Sequence, residues 1–205
     1  MRKTTILLLS SIILFTMSCK QKTNEVSDNP LLQEWDTPYG VPPFDKIKIE
    51  HYKPALEAAM QEQKDNIQKI IDNKEAPNFE NTIAALEFSG LTLSKVAGVF
   101  FNLLSSDTNE ELQKIAQEIS PKLSNHSDEI IMNPELFAKI EEVYKNKDNS
   151  NLNKEQLRVL ELTYRDFVRS GAKLNDADKK RLMEINERLS LLALQFGDNL
   201  LAETN

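Results

Sequence analysis

The chain has 205 residues, with 25 lysines and arginines against 32 aspartates and glutamates, a formal net charge of −7. No basic stripe occurs in it, so neither nucleic acid nor an anionic membrane surface fits as a partner, because both need clustered cations. A single cysteine excludes a disulfide framework, and the length suits one helical domain with a sizeable core.

Arg2 and Lys3 precede an apolar run from Ile6 to Met17, which leads into Ser18-Cys19. A basic start, an apolar stretch of this length and a small residue before the cut predict a secretory signal peptide over residues 1–18. The run is shorter than the ~20 apolar residues that span a bilayer as a helix. Cys19 sits where a bacterial lipoprotein signal places the residue to be lipidated, although Thr16 stands where leucine is more usual. An ordinary signal peptide cut nearby, with an unrelated thiol, is the alternative. Lipid attachment at Cys19 is the expectation, because a lone cysteine at this junction has no disulfide partner to explain it. A thioether-linked diacylglycerol with an N-acyl chain would anchor the protein stably to a membrane of the bacterial envelope, facing the periplasm or the exterior. Loss of Arg2 and Lys3 with the leader takes the net charge to about −9.

Residues 19–29 are polar, with Val26 the one apolar residue after Cys19, and read as a flexible tether. The lobe proper is expected over residues 30–205. From Pro30 to Lys48 the prolines at 38, 42 and 43 forbid a helix interior, and Tyr39-Gly40 supplies a turn. Leu31, Leu32, Trp35, Tyr39 and Phe44 predict an irregular arm that packs its aromatic residues onto a helical body.

Beyond the arm the pattern is helical. Pro54 is expected in a first helical turn, followed by Leu56, Met60, Gln63, Ile67, Ile70 and Ile71 at three- and four-residue steps. Asn73 to Asn78 breaks this helix. A second begins near Phe79 and carries Ile83, Leu86, Leu93, Val96, Phe100 and Leu104, with Gly90 and Gly98 inside it for close packing or a kink. Thr108 and Glu111 read as a capping box for a third helix bearing Leu112, Ile115, Ile119, Leu123 and Ile130, which Pro121 should bend or split. Asn133-Pro134 opens a fourth with Phe137, Ile140 and Tyr144 inward. Asn153 and Gln156 cap a fifth with Leu157, Leu160, Tyr164 and Phe167, closed by Gly171. Asn175 and Asp178 open the last, with Leu182, Ile185, Leu189, Leu192, Phe196 and Leu200 as its seam. The fold class expected is all-α, about six helices with antiparallel neighbours, preceded by the aromatic-rich arm.

The last helical pattern ends on Leu200 to Asn205 without glycine, proline or a basic residue, and Glu203 has the wrong sign for a helix C-terminus. A frayed end is the plain reading. The sharper expectation is the front piece of something larger, with an apolar patch left exposed along this helix among Leu192, Phe196, Leu200 and Leu201.

Chemistry is sparse. A helical zinc site of the H-E-x-x-H type needs two histidines four apart with a glutamate beside them. His126 has Glu129 at i+3 but Ile130 where the second histidine would stand, so a partly exposed helix surface is expected there. His51, beside Tyr52 near a helix start, reads as a packing or capping residue. The serines at 105, 106, 120, 124 and 127 have no glycine-flanked nucleophile elbow, and no glycine-rich phosphate loop occurs. No catalytic, cofactor-binding or metal-ligating residue is therefore assigned to this chain.

Several segments resemble one family. Asn29-Pro30-Leu31-Leu32 with Trp35, and Thr37-Pro38-Tyr39-Gly40-Val41-Pro42-Pro43-Phe44, are similar to the N-terminus of the M3 zinc metallopeptidases, in the peptidyl-dipeptidase Dcp and oligopeptidase A branch. Glu50-His51-Tyr52-Lys53-Pro54-Ala55, Phe79 to Glu87, Phe100-Phe101-Asn102-Leu103, Leu123 to His126, Phe167 to Ala172 and Phe196 to Asn199 continue the likeness in order. The resemblance implies a mostly helical protein whose two lobes flank a channel for short peptides, with zinc held by H-E-x-x-H and a downstream glutamate. It implies release of dipeptides from the C-terminus of the substrate. This region would build part of one lobe and a channel wall, and none of the zinc ligands has a matching position here. The expectation is an N-terminal lobe that is inactive alone and is completed by a catalytic part, encoded with it or separately. A non-enzymatic envelope lipoprotein that uses the lobe as a binding module is the alternative. Truncation, frameshift and a true split gene are equally compatible with the sequence.

Overall fold

The structure, a computed structural model, describes residues 26–204. The expected leader, Cys19 and the first part of the tether lie outside the described residues. Six α-helices and no strand occur among them: α1 (Ile49–Asp72), α2 (Phe79–Ser106), α3 (Glu110–Ile131), α4 (Pro134–Lys145), α5 (Lys154–Arg169) and α6 (Asp176–Thr204). The fold is all-α, as the periodicity predicts.

The arm is tied down earlier than expected. Asn29, placed in the tether by composition, is buried: its Nδ2 donates to the His51 carbonyl at 2.8 Å and its Oδ1 accepts from the Leu31 amide at 3.0 Å. Leu31 is buried in the core, and the Trp35 Nε1 donates to the Pro30 carbonyl. Lys95 of α2 reaches across to the Gln33 carbonyl and lies 4.4 Å above the Trp35 ring. Packing of the aromatics fails at the tip, where Tyr39 is fully exposed and Phe44 half-exposed. Tyr39 and Gly40 take φ of 64° and 67°, so two successive left-handed residues make a turn that leaves the Tyr39 ring in solvent.

Helix starts follow their caps. In α1, Pro54 falls in the second turn, not the first, because the helix begins at Ile49. The single bond its missing N–H removes is the one to Glu50, and burial of Tyr52, Ala55 and Leu56 outweighs that loss. The cap of α3 is Asn109, not Thr108: the Asn109 backbone is extended and its side chain accepts from the Leu112 amide at 2.9 Å. Leu112 is buried, and its position fixes the cap three residues earlier. Thr108 Oγ1 is buried with no hydrogen-bond partner. Pro121 does not split α3. The carbonyl it leaves unpaired belongs to Gln117, which is exposed and open to water. Asn133 and Asn153 cap α4 and α5 as the sequence indicates. Gly171, at φ 103°, closes α5 in a Schellman motif, with Ala172 N–H donating to the Phe167 carbonyl and Gly171 N–H to that of Val168.

Two cores form on the shared α1. The first joins Tyr52, Leu56, Val96, Phe100, Leu112 and Ile119 from α1, α2 and α3; the second joins Ile67, Ile83, Leu136, Ile140, Leu160 and Phe167 from α1, α2, α4 and α5. The first two helices are antiparallel, shown by Thr92 against Glu62 and Ser89 against Asn66 across α1 and α2. The first and third helices are parallel. Lys53 pairs with Glu118, Glu57 with Lys122 and Lys64 with Glu129, a constant offset of 65 residues at four- and seven-residue steps.

The last helix departs most from expectation. It has no buried residue. Its contact with α3 runs through Asn186, whose Nδ2 donates to Asp128 Oδ1, through Lys179, whose Nζ donates to the Met132 carbonyl, and through Leu194. Of the predicted seam, Leu182 is partly buried beside Gly171, while the rest points outward: Ile185, Leu189, Leu192, Phe196 and Leu200 are all exposed. The apolar patch expected among Leu192, Phe196, Leu200 and Leu201 is present.

Candidate functional site at the break in the second helix

Gly90 interrupts α2 with φ −109° and ψ 18°, and the polar groups this frees are met from α1. Asn66 Nδ2 donates to the Ser89 carbonyl at 3.2 Å, and Gln63 Nε2 donates to Ser89 Oγ at 3.4 Å. Ser89 Oγ in turn donates to the Leu86 carbonyl at 2.7 Å. Gln63 Oε1 lies 2.8 Å from His126 Nε2 of α3. An amide oxygen only accepts, so Nε2 carries the proton and Nδ1 holds the lone pair. One glutamine therefore joins three helices. A Cβ at position 90 would sit 2.4 Å from Gln63 Nε2, so glycine is what lets the amide lie against the break.

His126 is buried, not partly exposed as its neighbourhood in sequence suggested. Burial pushes its imidazole pKa below the usual value, and the Lys64 cation adds to that while Glu129 opposes it. Two residues on, and so on the other side of α3, Asp128 is also buried. Burial raises its carboxyl pKa, against the hydrogen bond from Asn186. His126 Nδ1 and Asp128 Oδ2 are buried without a hydrogen-bond partner.

Beside the break lies a cleft of about 540 Å3, walled by Leu93, Leu123, Ile130, Val159 and Phe167, with Gln63, His126 and Thr163 as polar points and the exposed Glu87 and Asp166 among its lining residues. It lies where the two cores meet. Such a concave, mostly apolar surface with few polar groups can hold a ligand side chain or a neighbouring element of structure.

The two histidines are not brought together. His51 sits in the first turn of α1, where its Nδ1 accepts from the Lys48 amide at 3.1 Å, the capping role expected of it. His126 meets α1 at Gln63, twelve residues further along, or about 18 Å of helix. Glu129 turns to the surface and pairs with Lys64. Among the described residues no group of three or more His, Cys, Asp and Glu side chains could hold a metal ion, so the donor set does not fit a zinc site. Cys19, the predicted lipid attachment, lies outside the described residues. Sequence reasoning missed Gln63 and Ser89 as staples and Asp128–Asn186 as a pair. The signal for Gln63 was present, since it is the polar residue at an inward step between Met60 and Ile67.

The arrangement has relatives. No family model matches the chain. The dipeptidyl carboxypeptidase of Escherichia coli K12 is 39% identical over 174 residues, which cover 85% of this chain and 26% of that protein. The chain belongs to the M3 peptidase family. It falls in the dipeptidyl carboxypeptidase and oligopeptidase A branch and corresponds to the N-terminal region of that branch. The dipeptidyl carboxypeptidase of Salmonella typhimurium is 38% identical over 86% of the chain and 26% of its own length. Oligopeptidase A of E. coli is 28% identical over 86% of the chain and 25% of its own length. The chain thus spans about a quarter of the length of these M3 relatives.

Proposed function

We propose that this protein is the N-terminal lobe of a lipid-anchored M3 zinc peptidase that releases dipeptides from the C-termini of short peptides. In this reading the lobe walls the substrate channel and limits the size of what enters. Zinc and its ligands belong to the catalytic part, and the lobe alone does not cut. The observation that carries the reading is the identity of 39% across 85% of the chain to a dipeptidyl carboxypeptidase almost four times as long as the match. The cleft beside Gly90 supports it as a stretch of channel wall, concave and apolar with acidic residues at its edge. The anchor rests on Arg2, Lys3, the apolar run and Cys19, and it places the lobe at the bacterial envelope.

The test is a dipeptide-release assay on the purified chain with and without added zinc and chelator. Inactivity in all conditions is expected, and chelator-sensitive release by the 205 residues alone refutes the division of labour. Labelling cells with a radioactive fatty acid reads the anchor: wild type incorporates it and Cys19→Ala does not.

A further inference from the structure

Helix α6 carries two stripes of different character. The inner one, Asn186 and Leu194 with Ser190 between them in helical register, is mostly polar and meets α3 through the Asn186–Asp128 hydrogen bond and through Leu194, which packs on the first core. The outer stripe is Ile185, Leu189, Leu192, Phe196 and Leu200, exposed by 41%, 54%, 44%, 70% and 56%. Its steps of four, three, four and four residues keep it on one side of the helix, about a third of a turn from the inner stripe and about 22 Å long. Single exposed apolar side chains are ordinary on a protein surface; five in a line at helical spacing form a packing ridge.

The chemistry of the flanks selects the occupant. A helix that lies on a membrane sets rows of lysines and arginines beside its apolar face, and along this stripe, from Ile185 to Leu200, Arg188 is the one such residue, against Glu187 and Asp198. A ridge at three- and four-residue steps fits the groove of another helix. The M3 relatives carry about three-quarters of their length outside the matched region, ample length for such a helix. We infer that the outer stripe of α6 is the face on which an amphipathic helix of the catalytic part docks. The inference rests on the functional reading above.

A chimera tests it: the matched quarter of E. coli dipeptidyl carboxypeptidase is replaced by residues 30–205, and Leu189→Glu and Phe196→Glu are made in it and in the isolated chain. In the chimera each substitution buries a carboxylate in an apolar joint, so the two parts should unfold separately instead of together, and dipeptide release should fall roughly tenfold or more. In the isolated chain the same changes leave the urea midpoint unchanged, whereas Leu194→Glu on the inner stripe lowers it. Joint unfolding of the chimera that neither outer substitution disturbs overturns the inference, as does a chimera whose parts unfold separately from the start. A dimer of the isolated chain that Phe196→Glu dissolves, with the chimera indifferent, also overturns it and assigns the stripe to a second copy. A chimera that unfolds as one unit, splits on Phe196→Glu and yet never releases dipeptides upholds the docking face and refutes the catalytic reading.

Discussion

Replacing Gly90 by alanine should change sign with its background. In the wild type the new Cβ would lie 2.4 Å from Gln63 Nε2 and 2.9 Å from Gln63 Cδ, so the amide must leave. Its departure breaks the bonds to His126 and Ser89 and strands the His126 Nε2 proton in a buried site. A buried donor left without a partner costs about 1–3 kcal/mol. Against this, alanine stiffens the unfolded chain relative to glycine, a gain of about 0.4–1 kcal/mol where the backbone angles suit it. The negative φ at Gly90 does suit it. The net expectation is a loss of roughly 1–2 kcal/mol for Gly90→Ala. In a Gln63→Ala background the obstacle and both bonds are already gone, and the same substitution should stabilise by about 0.4–1 kcal/mol. Urea denaturation followed by far-ultraviolet circular dichroism gives all four corners of the cycle, with a coupling of roughly 1.5–3 kcal/mol expected. Equal effects of Gly90→Ala in the two backgrounds would show that Gln63 does not staple the break.

Asn109→Ala should cost about 1 kcal/mol in the same denaturation assay, while Thr108→Val should be neutral or stabilising, because Asn109 holds the cap bond and Thr108 Oγ1 has no partner. Gly171→Ala should destabilise by about 1–3 kcal/mol, since φ is 103° and the new Cβ would lie 2.9 Å from Leu182 Cδ2. The lowered pKa of His126 means that the unfolded chain takes up its proton first, so stability is full above pH 6.5 and falls as pH drops from there through the folded-state value. His126→Gln should flatten that part of the stability–pH curve. The raised pKa of Asp128 acts in the opposite direction: the folded chain holds the proton better, so stability is gained as pH falls through the folded-state value toward 3.8, and Asp128→Asn should remove that gain.

Local chemistry made much of the fold legible. Asn133-Pro134, Asn153 with Gln156 and Gly171 mark helix ends because caps and positive-φ closures need particular residue types within four positions of one another. Thr108 and Asn109 are both competent caps, and the choice between them was settled by where Leu112 could be buried, which is a tertiary fact. His126 could not be placed on the buried side because its partner stands 63 residues away on α1. Asp128 is similar, with Asn186 58 residues on. For α6 the periodicity is real but carries two stripes, and a sequence does not say which of them its own chain covers.

These long-range polar pairs explain how a helix with no buried residue is positioned at all. Apolar contact tolerates sliding, whereas a hydrogen bond between an amide and a buried carboxylate does not. Asn186 on Asp128, with Lys179 on the Met132 carbonyl, sets α6 antiparallel to α3 in a single register. On its opposite side α3 is set parallel to α1 by the ladder Lys53–Glu118, Glu57–Lys122 and Lys64–Glu129, and by His126 on Gln63. Exposed ion pairs of this kind contribute little energy, but a repeat at a constant offset penalises every other register at once. The orientation of the outer stripe of α6 is therefore traceable, bond by bond, to Gln63 and the break at Gly90. A change at Gly90 that loosens α3 should alter where that stripe points as well as how stable the lobe is, which links the cleft and the docking face through one helix.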